Sequence, residues 1–524
     1  MEKQSIKDPY ESYRIKDRFQ KERVPEPIFE ELPELVEFYY EAWTSAWRHV
    51  VHREDMPESR YMDEAMTPHT IWIWDTCFMT LFCKYAFDYF PGIESLNNFY
   101  FIIHDRKKSG ARIHFADNPP LFAWVELEYL KLTGALERIK WVLLEKQYLQ
   151  KHFEFMELQK PWRKPSNVLV SKVSRKYELG YKWSGNTSGM DNTPRGRTWW
   201  NNTKLNARGQ ISHNNIYWLD LLAQQALAAN SIAKLAKYLN NRELTEEYSQ
   251  KFEEKKNLLN MFYWNEKDGF YYDLYRKSSK KINEMSKRNK EIHNKVPTIA
   301  SYWPLLAETS SKAQAEMMTM KATDPNWFGG DIPYPSLARL DYEYRPTGRY
   351  WRGGVWLPTV YMATKAIEKY NNYQIADENA MKIVKMMYKT FVEFEPHTIW
   401  EAYSPSEPKP STQKRDDPGV RPDFCGWSAL GPISLFIENI LGFHRISAID
   451  NVVEWRIHHK EKHGIKNLKF GKIRTDLIYE KNKIKIQSNA PYILKIINGS
   501  GEIIKEISVK EGNQEEEFFF ERPL

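Results

Sequence analysis

Two carboxylates that lie far apart in the sequence share one kind of neighbourhood. Asp191 stands in the motif SGMDN (188–192) and Glu401 in IWEAY (399–403). Such glycine, amide and aromatic neighbours suit a carbohydrate pocket, where rings stack on apolar sugar faces and two carboxyl groups exchange protons across a glycosidic bond. Asp191 and Glu401 are therefore a candidate acid/base pair. A lone loop aspartate is also typical of an Asx-turn or a helix cap, so the pairing is a hypothesis.

Four further motifs combine rings with polar groups. YWRGGVW (350–356) places tryptophans around a glycine pair, where backbone and rings can approach a ligand closely. IWIWDTCF (71–78) puts Asp75 inside an apolar segment, so this acid either caps a helix or accepts sugar hydroxyls. HFADNPP (114–120) and FCGWSAL (424–430) are polar and aromatic loops. For each motif, plain structural packing is the alternative interpretation.

The elements that must position these motifs are mainly helices. From about residue 30 to 450, apolar residues recur at helical spacing, most clearly over Asn215–Leu239. Other helices are predicted over Trp74–Phe87, Leu121–Leu132, Arg138–Leu158, Glu246–Met261, Val355–Tyr370, Ala376–Phe394 and Leu430–Leu441. Long loops join these helices and no fixed-period repeat is legible, which favours an α/α toroid over a solenoid.

The pattern changes to β-strands near residue 461. Alternating or β-branched runs occur at 465–470, 483–486, 492–497 and 502–509. They predict a small antiparallel β module that caps the helical part rather than binding glycan. We therefore expect an N-terminal extension over 1–30, a helical domain carrying the motifs over 31–460 and the β module over 461–524.

The composition argues against several classes of protein. The net charge of +7 comes from 76 basic and 69 acidic residues, and the basic cluster at 276–290 is interpreted as a solvated loop rather than a nucleic-acid site. Three cysteines, Cys77, Cys83 and Cys425, are too few for a disulfide framework and lack zinc-ligand spacing. We interpret them as buried or free thiols.

The sequence was also searched for a signal peptide and for membrane-spanning segments. The first ten residues lack the apolar region of a signal peptide, and no stretch approaches the roughly 18 apolar residues of a membrane span. The chain as given is therefore expected to be soluble and cytoplasmic, or periplasmic or secreted if a signal peptide was removed from a precursor.

The order of the motifs is more specific than any one of them. The succession WDxxF, xNPP, SGMDN, YWRGGVW, WEAYxP and GWSAL, over roughly residues 70–440, resembles the inverting (α/α)6-barrel glycosidases. The pattern is most similar to glycoside hydrolase family 63, with its processing α-glucosidase and mannosylglycerate hydrolase types, and more distantly to trehalases. The resemblance implies an (α/α)6 toroid with a small C-terminal antiparallel β module.

Residue by residue, the resemblance assigns the general acid to Asp191 and the general base to Glu401. Six residues resemble those that line the sugar pocket: Trp74, Asp75, Asn118, Trp351, Arg352 and Trp427. Their neighbours in the motifs complete the candidate substrate-binding set: Phe78, Trp183, Gly189, Asn192, Tyr350 and Gly353.

Inversion sets demands on the two acids. The acid must keep a proton near neutral pH while the base stays ionised and holds a water, with the carboxyl groups about 6.5–9.5 Å apart. Asp191 then needs a raised pKa, which enclosure by Met190 and Trp183 would favour, whereas Glu401 is expected on a wetter side. Water is the nucleophile, so no metal or organic cofactor is expected; a structural calcium is left open.

The sequence thus indicates an exo-acting, inverting α-glycosidase that removes a gluco- or manno-configured unit from an oligosaccharide or small glycoside. An epimerase or polysaccharide lyase on the same toroid is one alternative, although such enzymes generally use His, Tyr or Lys. A carbohydrate-binding protein without turnover is the other, favoured if Asp191 and Glu401 do not share a cavity. The expected partner is carbohydrate and not nucleic acid, and the oligomeric state is open.

Overall fold

The computed structural model describes residues 10–64, 67–158, 165–171, 174–195, 216–288, 290–413 and 419–519. Their α-helices are α1 (Pro33–Arg48), α2 (Ile73–Cys83), α3 (Gly92–Ile103), α4 (Phe122–Thr133), α5 (Leu136–Ile139), α6 (Tyr148–Glu157), α7 (Gly185–Ser188), α8 (Leu219–Tyr238), α9 (Arg242–Leu258), α10 (Ser279–Lys287), α11 (Trp303–Leu306), α12 (Lys312–Thr323), α13 (Leu357–Glu368) and α14 (Tyr373–Glu393). Shorter 3₁₀ or π-helical segments are Lys21–Arg23, Lys84–Ala86, Lys140–Glu145, Leu259–Tyr263, Ile299–Tyr302, Ser428–Leu430 and Gly431–Ile440.

The helices form two layers that differ in burial. Every residue of α2 and of the segment Gly431–Ile440 is buried, and α13 is nearly so. These elements are apolar on almost all sides, as a helix inside a large domain must be. By contrast, α9 buries only Tyr248 and Lys255, because its remaining surface is charged. Helix α8 packs against both α4 and α9.

The strands are mostly short in the helical region and longer toward the C-terminus. They are β1 (Glu26–Phe29), β2 (Val50–His52), β3 (Arg60–Met62), β4 (Thr70–Ile71), β5 (Arg112–Ile113), β6 (Arg175–Tyr177), β7 (Gly180–Lys182), β8 (Ile216–Tyr217), β9 (Trp264–Asn265), β10 (Phe270–Tyr271), β11 (Asp273–Tyr275), β12 (His293–Asn294), β13 (Arg445–Ser447), β14 (Val452–Trp455), β15 (His463–Phe470), β16 (Ile473–Glu480), β17 (Lys483–Ser488), β18 (Tyr492–Ile497), β19 (Ile503–Val509) and β20 (Gly512–Glu517).

Two sheets contain the C-terminal strands. One has the order β1-β15-β16-β17-β20 and the other β13-β14-β18-β19. Strand β1 therefore joins the first sheet from near the start of the chain, pairing Ile28 with Gly464. Both sheets bury alternate residues, as in β17, whose pattern alternates between exposed and buried positions.

The expectation of a mainly helical chain with β-strands at its C-terminal end is confirmed, and several details differ. The helix predicted over Arg138–Leu158 is broken, because Gln147 has a left-handed φ of 54° between Lys140–Glu145 and α6. The strands β16 and β20 were not predicted. The strand pairings within the described part of the predicted module, 461–519, are antiparallel as expected, whereas β14, which precedes the module, pairs with β18 in parallel. The predicted start of α8 at Asn215 lies outside the described residues.

No helix among the described residues combines the length and the apolarity that a membrane crossing requires.

Candidate active site

A cavity of about 980 Å³ lies near the N-terminal ends of the buried helices α2 and α13. The first turn of α2, the residues after α7 and the residues before α13 all contribute to its wall. Of the sequence-predicted site residues, the structure brings together around this one cavity Trp74, Asp75, Asn118, Gly189, Asp191, Asn192, Tyr350, Trp351, Arg352, Glu401 and Trp427. Their positions span more than 350 residues of sequence, so the tertiary fold assembles the site.

The loop that carries Asp191 is compact because glycines allow it to be. Helix α7 starts at Ser184, whose Oγ accepts the N–H of Thr187, and it ends at Gly189, which has a φ of 81°. A Cβ on Gly189 would lie 3.1 Å from the ring of Trp74, and a Cβ on Gly185 would lie 2.4 Å from the carbonyl oxygen of Asp191. Both glycines therefore permit close approaches that other residues would obstruct.

A buried ion cluster fixes the far end of the same loop. Arg195 binds Asp220 through Nη1 and Nη2 at 2.6 and 2.9 Å, and Asp273 through Nε and Nη2 at 2.8 and 2.5 Å. Its guanidinium lies 4.2 Å from the ring of Trp218. These contacts use the planar fork of arginine on both aspartates, which lysine could not do. The cluster holds the chain four residues beyond Asp191.

Asp191 has the protonation behaviour expected of an acid. Burial, and secondarily the charge of Glu401, raise the pKa of Asp191 to about 7. A carboxyl group with this pKa still carries its proton in a large fraction of molecules at neutral pH. The pair thus resembles other sites in which two carboxyl groups of unequal environment divide the acid and base roles.

Glu401 is held by donors on three sides. Its Oε2 accepts the N–H of Arg421 at 3.2 Å, and its Oε1 accepts the hydroxyl of Tyr350 at 3.3 Å. Its carbonyl oxygen accepts the indole N–H of Trp427 at 2.9 Å. Burial raises the pKa of Glu401, while the N–H and charge of Arg421 and the Tyr350 hydroxyl oppose this rise. These donors favour the ionised form that a base requires.

The expectation that Glu401 lies on a wetter side than Asp191 was wrong. Glu401 is 1% exposed, whereas Asp191 is half-buried at the cavity wall. Hydrogen-bond donors and the charge of Arg421, rather than water, are therefore the groups that stabilise the Glu401 carboxylate.

Asp75 lies in the first turn of α2 and faces the same cavity. The N-cap position of this helix is occupied by Trp72, so Asp75 is not its N-cap residue. Burial raises the pKa of Asp75, and the nearby charges of Glu401 and Asp191 raise it further. The start of a helix offers partial positive charge that moderates this repulsion.

Aromatic rings and unpaired polar atoms complete the wall. Trp351 stacks on Trp356 with centroids 4.1 Å apart, and Trp427 meets Trp356 nearly edge-on. Within the described residues, the indole N–H of Trp74 and the Oδ1 of Asn118 are buried without a hydrogen-bond partner, although both residues line the cavity. Buried polar atoms without partners are costly, so a ligand with hydroxyl groups would satisfy them.

Three predicted site residues do not line the cavity. Phe78 is buried against Trp74, Trp183 donates its indole N–H to the carbonyl oxygen of Asp117, and the N–H of Gly353 donates to Ser336. Other residues of the same motifs line the cavity in their place, among them Trp74, Asn186 and Arg352. Arg352 lines the cavity and also forms an ion pair with Glu343.

The sequence interpretation missed several lining residues: Thr67, Thr70, Trp72, Arg112, His114, Phe115, Leu169, Asn186, Arg349, Trp356, Gln413 and Arg421. Trp72, His114, Arg349 and Trp356 lie within or directly beside motifs already noted, so that adjacency was a usable signal. Arg421 follows Glu401 by 20 residues and carries no local motif. Only the fold brings it to the cavity.

One group of side chains among the described residues has metal-like spacing: Glu368, Asp377 and His444. It lies away from the main cavity, and Lys365 and Arg456 already form ion pairs with its carboxylates. Burial would lower the pKa of His444, but Asp377 and Glu368 outweigh it and raise the pKa to about 9. His444 also forms ion pairs with both acids, so the cluster is arranged as an ion-pair network.

Comparison with known proteins gives the family. A family model described as "Mannosylglycerate hydrolase MGH1-like glycoside hydrolase domain" matches residues 105–416. The chain belongs to this family. The matched region of the glycoside hydrolase domain includes Asp191, Asn192, Tyr350 and Glu401, whereas Asp75 and Arg421 lie outside it.

Two curated relatives are similar in sequence. An uncharacterized protein of Borreliella burgdorferi is 27% identical over 442 residues, covering 80% of this chain and 82% of the relative. The mannosyl-oligosaccharide glucosidase of Saccharomyces cerevisiae is 24% identical over 274 residues. That match covers 50% of this chain and 30% of the yeast protein.

Solved structures share the fold at low identity. A sialidase has a TM-score of 0.66 and 12% identity, covering 90% of this chain and 40% of the sialidase chain. The family 63 mannosylglycerate hydrolase of Thermus thermophilus, in complex with glucose, has a TM-score of 0.53 and 15% identity. It is matched over 76% of this chain and 99% of its own.

The Gly185 contact generates a first prediction. In Gly185→Ala, the new Cβ would meet the carbonyl oxygen of Asp191 at 2.4 Å, so the loop must shift. We expect turnover of a glycoside substrate to fall by about 10²-fold, the usual effect of a displacement near 1 Å. Gly499→Ala, whose Cβ meets the side chains of Gln374 and Arg456, is the control and should keep wild-type turnover. Equal kinetics for the two variants would show that the contact does not position Asp191.

The pKa of Asp191 generates a second prediction. Because the acid acts in its protonated form, kcat/KM should decline as the pH rises through about 7. The measurement is a pH–rate profile of the wild-type protein with an unactivated glycoside. A profile that stays flat up to pH 9 would argue against Asp191 as the proton donor.

Proposed function

We propose that this glycoside hydrolase is an exo-acting, inverting α-glycosidase built on an (α/α)6 toroid. Asp191 is its general acid and Glu401 its general base. The observation that carries the proposal is that both carboxyl groups face one cavity, with the pKa of Asp191 raised to about 7 and donors aligned on Glu401. The two helical layers and the likeness to the T. thermophilus hydrolase support the toroid.

The reaction follows from these positions. Asp191 gives its proton to the oxygen of the glycosidic bond as that bond breaks. Glu401 accepts a proton from a water molecule, which attacks the anomeric carbon from the opposite face. Tyr350 and the N–H of Arg421 orient the Glu401 carboxylate toward that water. Asp75, Trp74 and Asn118 bind the hydroxyl groups of the sugar whose anomeric carbon the water attacks.

An exo mode is supported by the charged side chains packed at the other ends of the buried helices. A separate cavity of about 260 Å³ lies at the opposite ends of α2, α4 and α13 and shares no lining residue with the first. Ion pairs of Lys84 and Lys365 with Glu438 lie between the helix ends there. We propose that these ion pairs close that end of the helical domain, so that the main cavity admits the end of a glycan rather than its middle.

The substrate is a gluco- or manno-configured glycoside with a small leaving group. The T. thermophilus mannosylglycerate hydrolase has been solved in complex with glucose and in complex with Tris and D-glycerate. In this chain Arg112, Arg349 and Arg421 line the cavity. Their positive charges favour an anionic leaving group such as a glycerate.

The stereochemical test is hydrolysis of a panel of α-gluco and α-manno disaccharides, glucosylglycerate and mannosylglycerate, followed by proton NMR. An inverting enzyme acting on an α-glycoside first releases the β-anomer of the sugar. Initial release of the α-anomer would contradict inversion. Binding of the panel without hydrolysis would favour the carbohydrate-binding alternative.

The two roles are separated by matched substitutions. Asp191→Asn and Glu401→Gln should each lower kcat by about 10²–10⁴-fold while sugar binding, measured by calorimetry, largely survives. Substrates with very good leaving groups need little protonation, so they should partly restore Asp191→Asn and not Glu401→Gln. Equal restoration of both variants would show that the roles are assigned wrongly.

A further inference from the structure

The side chain of Asn192, next to Asp191, is bonded twice to a neighbouring loop. Its Nδ2 donates to the carbonyl oxygen of Arg349 at 3.1 Å, and its Oδ1 accepts the N–H of Trp351 at 2.8 Å. These two bonds bracket Tyr350. The place of Asn192 in the motif of Asp191 made it a candidate substrate-binding residue, but its amide already holds backbone on both sides of another residue.

The bracketed backbone is strained. Arg349 and Tyr350 have φ angles of 40° and 64°, in the left-handed region that residues with bulky side chains seldom adopt. Such conformations persist only where surrounding contacts enforce them. Thr412 supplies two of these contacts, by accepting the N–H groups of Arg349 and Tyr350 at 3.1 and 2.7 Å. Trp356 and Gly354 donate to the carbonyl oxygen of Tyr350, and Asn192 supplies two further contacts from the opposite loop.

This strained turn carries the hydroxyl group that reaches the candidate base. Tyr350 donates to Oε1 of Glu401 at 3.3 Å, and its ring lies edge-on against Trp356 with centroids 4.7 Å apart. A continuous path of bonds therefore runs from the Asp191 loop, through Asn192 and the backbone at 349–351, to Tyr350 and Glu401.

We infer that Asn192 is a positioning residue that couples the loop of the general acid to the general base by holding Tyr350 against Glu401. The inference rests on the proposed function, because it gives Asp191 and Glu401 their roles. Its consequence is that one side chain links the loop of the acid directly to the turn that carries Tyr350, in addition to the contacts that anchor each loop separately.

The coupling predicts a specific effect on the ionisation of Glu401. The charged groups that act on Glu401 or lie near it are Arg421, Asp191 and Asp75. Tyr350 adds a donor that stabilises the ionised form, so losing this hydrogen bond raises the pKa of Glu401. The acidic limb of kcat/KM, where the base becomes protonated, then moves to higher pH.

The experiment is a double-mutant cycle with Asn192→Ala and Tyr350→Phe. We expect Asn192→Ala to lower kcat by about 10²-fold with little change in KM. The double variant should be hardly slower than the slower single variant, because both remove the same bond to Glu401. Asn118→Ala is the control: Asn118 lines the cavity but donates to the carbonyl oxygen of Thr187, so its loss should multiply with that of Tyr350→Phe.

A second readout does not need turnover. Glutamate labelled with ¹³C at Cδ reports the pKa of Glu401 by NMR, with Glu401→Gln assigning the resonance. The pKa should rise in both Asn192→Ala and Tyr350→Phe and stay unchanged in Asn118→Ala. If alanine at 192 unfolds the protein in a thermal scan, Asn192→Ser takes its place.

The outcomes separate the two proposals. Hydrolysis of no substrate by the wild type would end the proposed function, while the NMR shifts would still decide the coupling. Independent, multiplicative losses for Asn192→Ala and Tyr350→Phe, together with a raised KM and an unshifted Glu401, would overturn the coupling. Asn192 would then be a substrate-binding residue.

Discussion

The site depends on keeping several carboxyl groups together in one desolvated cavity. Asp75, Asp191 and Glu401 line it, and Glu64 lies buried close by with neither oxygen paired among the described residues. Burial raises the pKa of each of these groups, and for Asp75, Asp191 and Glu64 the charges of neighbouring acids raise it further. Left to themselves such groups would all be protonated. At Glu401 the N–H and charge of Arg421 and the hydroxyl of Tyr350 oppose this rise, and at Asp75 the backbone at the start of α2 opposes it.

In a second cluster of charges, by contrast, the buried acids are paired with cations. This cluster lies near the C-terminal ends of α2, α4 and α13. Burial disfavours the charged form of Glu438, but the charges of Lys365 and Lys84 outweigh the effect of burial and lower the pKa of Glu438 to about 2. Asp377, facing His444 and Arg456, behaves in the same way. The acids there have cations beside them, which makes that cluster a compensated ion-pair network. The uneven compensation in the main cavity is the feature that indicates chemistry, because a group must be able to change its protonation state to transfer a proton.

Positioning of the acids comes from contacts that leave little freedom. Gly185 and Gly189 bring backbone against Asp191 and Trp74 at distances that a Cβ would prevent. Arg195 ties one end of the acid loop to two buried aspartates, and Trp427 donates to the backbone of Glu401. The loops are thus anchored to helices at several points, which is what a site on loops requires if its geometry is to be held within a fraction of an ångström.

The sequence by itself determined the local chemistry of this protein: the helical periodicity, the β-strands near the C-terminus, the motifs around Asp191 and Glu401, and their resemblance to one family of glycosidases. These are visible because glycine, aromatic and carboxylate residues have specific uses at short spacing. Only the tertiary structure decided which motif residues face the cavity, as Phe78, Trp183 and Gly353 do not, and that Arg421 does. It also decided that Glu401 is the more buried acid and that Asn192 holds Tyr350. Those properties depend on contacts between segments 20 to more than 150 residues apart, and side-chain direction and burial at such distances are set by packing and not by neighbours in sequence.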